Sequence, residues 1–162
     1  MIDVNITATK LQSMYRIPIY MDSAFFPVKF DTGSRYTVVS VELIREGLSD
    51  SHKKKIRLYC ENHNAVKEKF ISASRDTFEG YLIRAVDVTV GDTTLNEFFY
   101  YLVIENKRSI ALLGCDFIDG CRYEHEPYGN IIISKFDDEG YFKGIPGNIE
   151  NAELVSYIEE IL

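Results

Sequence analysis

A chain of 162 residues suffices for one domain with its own core and is too short for two comfortable ones. A hydrophobic fraction of 46% with 27% charged residues excludes a disordered chain. The formal charge of -7 argues against nucleic acid or an anionic membrane surface as partner, because phosphate-rich partners need a basic face.

The N-terminus, Met1 to Asn5, has neither the basic start nor the apolar stretch of a signal peptide. No apolar run approaches transmembrane length; Ile110 to Leu113 and Ile131 to Ile133 are core-sized. Three cysteines, Cys60, Cys115 and Cys121, form no disulfide framework, so a reducing cytoplasm is the expected location.

In chain order, Arg16 to Tyr20 and Phe26, Val28 and Phe30 alternate as strands, the second ending at Asp31. Tyr36 to Ser40 reads as a further strand. Ser40 then caps a short helix carrying Val41, Leu43, Ile44 and Leu48, with Glu42 near its positive end and Gly47 as its stop. Residues 50 to 69 are polar and carry no clear period; Lys53, Lys54, Lys55 and Arg57 read as a solvated loop. Lys69 to Ala73 and Phe78 to Val90 form a hairpin around the polar tip Ser74-Arg75-Asp76-Thr77, and Gly91-Asp92 marks the next turn. Leu95 to Ile104 is an aromatic-rich strand, Ile110 to Leu113 a short buried one, and Ile131 to Ser134 another. Residues 137 to 147 are rich in Gly and Pro. Beyond them Leu154, Val155, Ile158, Ile161 and Leu162 share one face of a helix beginning at Asn151. One mainly β domain over residues 1–135 is expected, with 136–162 a turn-rich connection and a C-terminal helix packed on it.

The segment Phe26-Pro27-Val28-Lys29-Phe30-Asp31-Thr32-Gly33-Ser34 carries the chemistry. Asp-Thr-Gly alone is a weak signal, since ordinary composition yields it in about one chain in thirty of this length. Its setting raises its weight: a core-type strand ends at Asp31, a turn falls on Gly33, and a second strand follows. A carboxylate at a strand end is held by the sheet while its tip faces open space. Gly33 allows the loop backbone to approach and supply an N–H. Ser34 is expected to donate its hydroxyl to the outer carboxylate oxygen.

These residues resemble the retropepsin family of aspartic peptidases. Three features stand in the family's order: the loop Asp31-Thr32-Gly33-Ser34, the flap-like hairpin around residues 70 to 83, and Leu112-Leu113-Gly114 followed by Cys115 to Ile118. The resemblance spans most of residues 15 to 135. It implies a single-domain acid-protease β-barrel with short helices, in which Leu112, Leu113 and Gly114 pack beside the catalytic loop and residues 115 to 119 form a short helix ended by Gly120. It also implies a homodimer, because the chemistry needs two carboxylates and the chain has one such loop. Asp31 of each subunit would then flank a water, Thr32 would reach across the two-fold axis, and Ser74, Arg75, Asp76 and Thr77 would close over a polypeptide substrate. No metal or cofactor is implied. The tip departs from the family's glycine-rich pattern, and the C-terminal helix replaces a terminal strand.

Other readings of the same residues are plainer. Asp31 before Gly is also a common turn residue, and the polar hairpin is also plain surface. Cys60, Glu61 and His63, or Cys115, Cys121 and His125, include metal-type ligands but lack a paired Cys-x-x-Cys spacing. The expected function is an aspartic endopeptidase. The alternative is a retropepsin-fold protein that binds or scaffolds polypeptides without turnover.

Overall fold

Side chains that alternate between core and solvent build the first three strands of the computed structural model: β1 (Ile2–Leu11), β2 (Met14–Met21) and β3 (Ala24–Phe30). The structure describes every residue except 13, 22–23, 63–65, 72–74, 104–109 and 138–150. The remaining described strands are β4 (Val38–Ser40), β5 (Lys67–Ile71), β6 (Thr77–Val90), β7 (Thr93–Val103), β8 (Ala111–Leu113), β9 (Cys121–His125) and β10 (Ile131–Phe136). Four helices accompany them: α1 (Val41–Gly47), α2 (Asp50–Asn62), α3 (Cys115–Ile118) and α4 (Asn151–Ile161).

Six strands close on themselves. β2 and β3 form an antiparallel hairpin, β3 runs parallel to β8, β8 pairs antiparallel with β4, and β4 runs parallel to β7. β7 pairs antiparallel with the long β6, whose end returns to β2 through Ile19 and Val90. The mainly β barrel expected from the sequence is therefore present. β5 extends the sheet from β6 at one end of the strand order. At the other, β1 bends between sheets: Thr9 to Leu11 pair with β2, and Ile2 to Ala8 with β10, which in turn pairs with β9.

The barrel interior is filled by Ile17, Ile19, Val28, Ile83, Val90, Leu102 and Leu113, with Phe117 of α3 stacked on Phe136 at 4.6 Å. A smaller cluster, Val38, Leu82, Tyr101 and Val103, packs separately with Tyr36, Phe70 and Phe78. It joins the hairpin arm to the segment just after Asp31. The aromatic run Phe98 to Tyr101 lies as expected: Phe98, Tyr100 and Tyr101 are buried.

Three local expectations are corrected. Residues 50–62 form α2, with His52, Ile56 and Cys60 buried at i, i+4, i+8. The basic run thus lies on a helix, with Lys54, Lys55 and Arg57 exposed. Its narrow stripe is why polar composition hid the helix. Ser40 precedes α1, but its hydroxyl makes no cap; it donates to the Ile110 carbonyl at 3.0 Å and accepts the Ile110 N–H at 2.6 Å. Thr77 opens β6, rather than standing in the hairpin tip.

α4 docks through Leu154, Ile158 and Ile161, all buried in the main core. Its Tyr157 ring lies 4.2 Å from Tyr81 of β6. Glu153 accepts hydrogen bonds from Tyr81 Oη at 3.1 Å and Lys67 Nζ at 3.0 Å, so the helix is tied to both strands of the β5–β6 hairpin. The predicted connection preceding α4 falls, from residue 138, outside the described residues, as do Ile104 and His63. Among the described residues no helix is long and apolar enough to cross a membrane.

Candidate active site

β3 delivers Asp31 to the end of a strand that is paired on both sides. Lys29 and Phe30 align with Leu112 and Leu113 of β8, and the Asp31 N–H donates to the Leu113 carbonyl at 3.0 Å. The chain turns at once, with the Ser34 N–H donating to the Asp31 carbonyl at 3.2 Å. Gly33 N–H donates to Asp31 Oδ1 at 3.0 Å, as expected. A Cβ on Gly33 would stand 3.2 Å from that oxygen, so the close approach favours glycine. Asp31 is partly exposed, and Thr32 and Gly33 are exposed. The loop backbone holds one of the two carboxylate oxygens.

Ser34 does not bond the carboxylate. Its hydroxyl donates to the Tyr36 carbonyl at 2.7 Å, which braces the loop against its own exit. The second contact to Asp31 comes from Lys29, whose Nζ lies 3.7 Å from Oδ2 with both side chains partly exposed. Sequence reasoning passed over Lys29. Its signal was the period of two: on a strand whose Val28 and Phe30 face the core, positions 29 and 31 share the opposite face.

Leu112, Leu113 and Gly114 pack beside this loop. Leu113 is buried in the core. At Gly114 a Cβ would overlap the carbonyl group of Tyr36 and stand 2.8 Å from Tyr36 N, so no other residue fits without moving the backbone. Two backbone bonds then fasten α3 to the loop: Cys115 N–H to the Ser34 carbonyl at 2.8 Å, and Asp116 N–H to the Arg35 carbonyl at 3.1 Å. α3 covers Cys115–Ile118, with Asp119 as its C-cap just before Gly120.

Asp116 is a second residue whose role sequence reasoning missed. It accepts from Thr37 Oγ1 at 2.7 Å, Thr37 N–H at 2.9 Å and Phe117 N–H at 2.8 Å. Thr37 Oγ1 also accepts the Gly114 N–H at 3.2 Å, and Thr37 is fully buried. Burial raises the Asp116 pKa above its ordinary value, against the opposing effect of the donors from Thr37 and Phe117. An acidic residue in the first turn of a predicted helix was the only local sign of it. Cys115 donates its thiol to the Thr32 carbonyl at 3.2 Å; burial first, then the charges of Asp119, Asp116 and Asp31, raise its pKa.

The hairpin arms exist as expected: β5 and β6 pair antiparallel, with Phe70 opposite Phe78 and Ile71 opposite Thr77. Arg75 and Asp76 are exposed, and Arg75 takes a left-handed φ of 66°. Ser74 lies outside the described residues. The hairpin is joined to the carboxylate loop through aromatic rings, Phe70 lying 5.8 Å from Tyr36 and 5.5 Å from Tyr101.

No family model matches the sequence, and no curated protein matches it. Among solved structures, the chain is similar to the crystal structure of a retropepsin-like aspartic protease from Rickettsia conorii. The TM-score is 0.51 at 12% identity, over 83% of this chain and 94% of that one. At that identity the likeness concerns the path of the backbone: this chain has a retropepsin-like fold.

Proposed function

We propose that the protein is an aspartic endopeptidase whose active site is completed by two copies of Asp31, one from each subunit of a homodimer. The observation that carries this reading is the mounting of Asp31: a strand-end carboxylate, one oxygen held by the Gly33 N–H at 3.0 Å, the loop fastened to Gly114 and α3 behind it. The retropepsin-like fold supports it.

Two such carboxylates facing each other cannot both ionise easily, so the pair holds one proton. The charged member takes a proton from the attacking water, and the protonated member polarises the scissile carbonyl. Thr32, exposed at the turn, reaches the opposing loop. The β5–β6 hairpin, with the exposed Arg75 and Asp76 between its strands, covers an extended polypeptide and pairs with its backbone. Cytoplasmic residence belongs to the same reading and is supported by three unpaired thiols.

The test is hydrolysis of a peptide library together with candidate partner proteins. Cleavage should vanish in Asp31→Asn and be blocked by a statine-type transition-state mimic. Undiminished cleavage by Asp31→Asn, or by a monomer at high dilution, would overturn the reading.

A further inference from the structure

On its face of the sheet Lys29 stands opposite Arg16 of β2 and level with Leu112 of β8. Like charges directly opposite one another in an antiparallel pair cost stability, so the ladder itself gives no reason for a cation there. Arg16 turns its guanidinium to the Pro27 carbonyl at 3.4 Å, while Lys29 turns to Asp31. Its ammonium lies 3.7 Å from Asp31 Oδ2, with 29% of the side chain exposed. Strand pairing on both sides fixes the Lys29 backbone, so the freedom to move belongs to its four-carbon stem.

The charge count in a shared site is uneven. Two subunits bring two Lys29 ammoniums, whereas a carboxylate pair holding one proton carries one negative charge. One cation is left over. An acidic side chain of the substrate supplies the missing charge, and a closed, water-poor site strengthens that pairing. We propose that Lys29 determines specificity by pairing with an Asp or Glu side chain next to the scissile bond.

The reach is sufficient. Residues two apart on a strand face are separated by about 7 Å, and the ammonium already spans that gap to touch Asp31. A side chain adjoining a bond held at Asp31 therefore lies within its range. The chain as a whole carries a charge of -7, so acidic peptides are not drawn to its surface in general and the selection is local. The substrate class is an acidic polypeptide segment, cut beside its own carboxylate.

The inference rests on the shared-carboxylate reading, and two measurements keep the two apart. Digestion of a peptide library should favour Asp or Glu next to the cut over Asn or Gln by about tenfold in kcat/KM. Lys29→Met keeps an apolar stem and should abolish that preference, and Lys29→Glu should turn it toward Lys and Arg. The second measurement is calorimetric binding of two transition-state mimics that differ only in a Glu or a Gln side chain beside the hydroxyl. Wild type should bind the Glu form about tenfold tighter, and Lys29→Met should bind both alike. Circular dichroism establishes that each variant is folded, which a partly exposed side chain permits. Cleavage without an acidic preference, or a preference that survives in Lys29→Met, would overturn the inference and leave the peptidase reading standing. Tighter binding of the Glu form that is lost in Lys29→Met, with no hydrolysis of any substrate, would uphold the Lys29 site and sink the peptidase reading. Neither cleavage nor a difference in binding would sink both.

Discussion

Thr37 and Asp116 are joined twice, hydroxyl to Oδ1 at 2.7 Å and backbone N–H to Oδ2 at 2.9 Å. The pair links the segment leaving the carboxylate loop to the first turn of α3, 79 residues later in the chain. With Gly114 donating to the same hydroxyl, the turn from β8 into α3 grips one buried side chain at two points.

Asp116→Ala should therefore destabilise the fold by about 2–4 kcal/mol, because the Thr37 and Phe117 N–H groups lose their acceptor in a buried setting. The cost should depend on pH with a definite sign. Burial raises the folded-state pKa of Asp116 above its unfolded value, so the folded protein binds the extra proton and gains stability as pH falls. The gap between wild type and Asp116→Ala should widen as pH falls from the raised pKa to the ordinary 3.8, then level off. Urea denaturation across that range measures it; a gap that narrows on acidification would contradict the account.

Gly114→Ala places a methyl group into the Tyr36 backbone, which has no rotamer to yield. The expected loss is about 3 kcal/mol or more, at the upper end for overpacking. Thermal unfolding should show it as a fall of Tm by about ten degrees for a domain of this size or as failure to accumulate folded protein.

Ser34→Ala removes the 2.7 Å bond to the Tyr36 carbonyl. About 1 kcal/mol of stability should be lost, as for an ordinary part-buried hydrogen bond. Equilibrium unfolding with and without the hydroxyl checks this; an unchanged midpoint would mean that the brace contributes nothing.

Tyr100 is fully buried, and its hydroxyl has no hydrogen-bond partner among the described residues. Burial holds the phenol protonated, pushing its pKa upward. Tyr100→Phe should stabilise the protein by about 1 kcal/mol by removing an unpaired polar group. A destabilised Phe variant would show that the hydroxyl is satisfied after all.

Much of the barrel was legible because its strands bury one face and follow a period of two: Ile17 and Ile19, then Phe26, Val28 and Phe30. The α4 stripe of Leu154, Ile158 and Ile161 was legible for the corresponding reason in a helix. β1 had the same alternation, Ile2, Val4, Ile6 and Ala8, and was overlooked. α2 was hidden by its polarity, with only His52, Ile56 and Cys60 buried among its described side chains. β9 left no periodic signal, because a strand with exposed side chains on both faces has none to leave.

What the residues alone determined was the chemistry at one point: a carboxylate at a strand end, a glycine beside it and a glycine-terminated strand to pack against. Those are local consequences of side-chain period and of the space a missing Cβ leaves. The tertiary structure decided the partners. Ser34 turns to Tyr36, Asp116 holds Thr37, and Lys29 stands by Asp31. Such pairings depend on how distant segments meet when the barrel closes, and a hydrogen bond across 79 residues leaves no trace in the spacing of its ends.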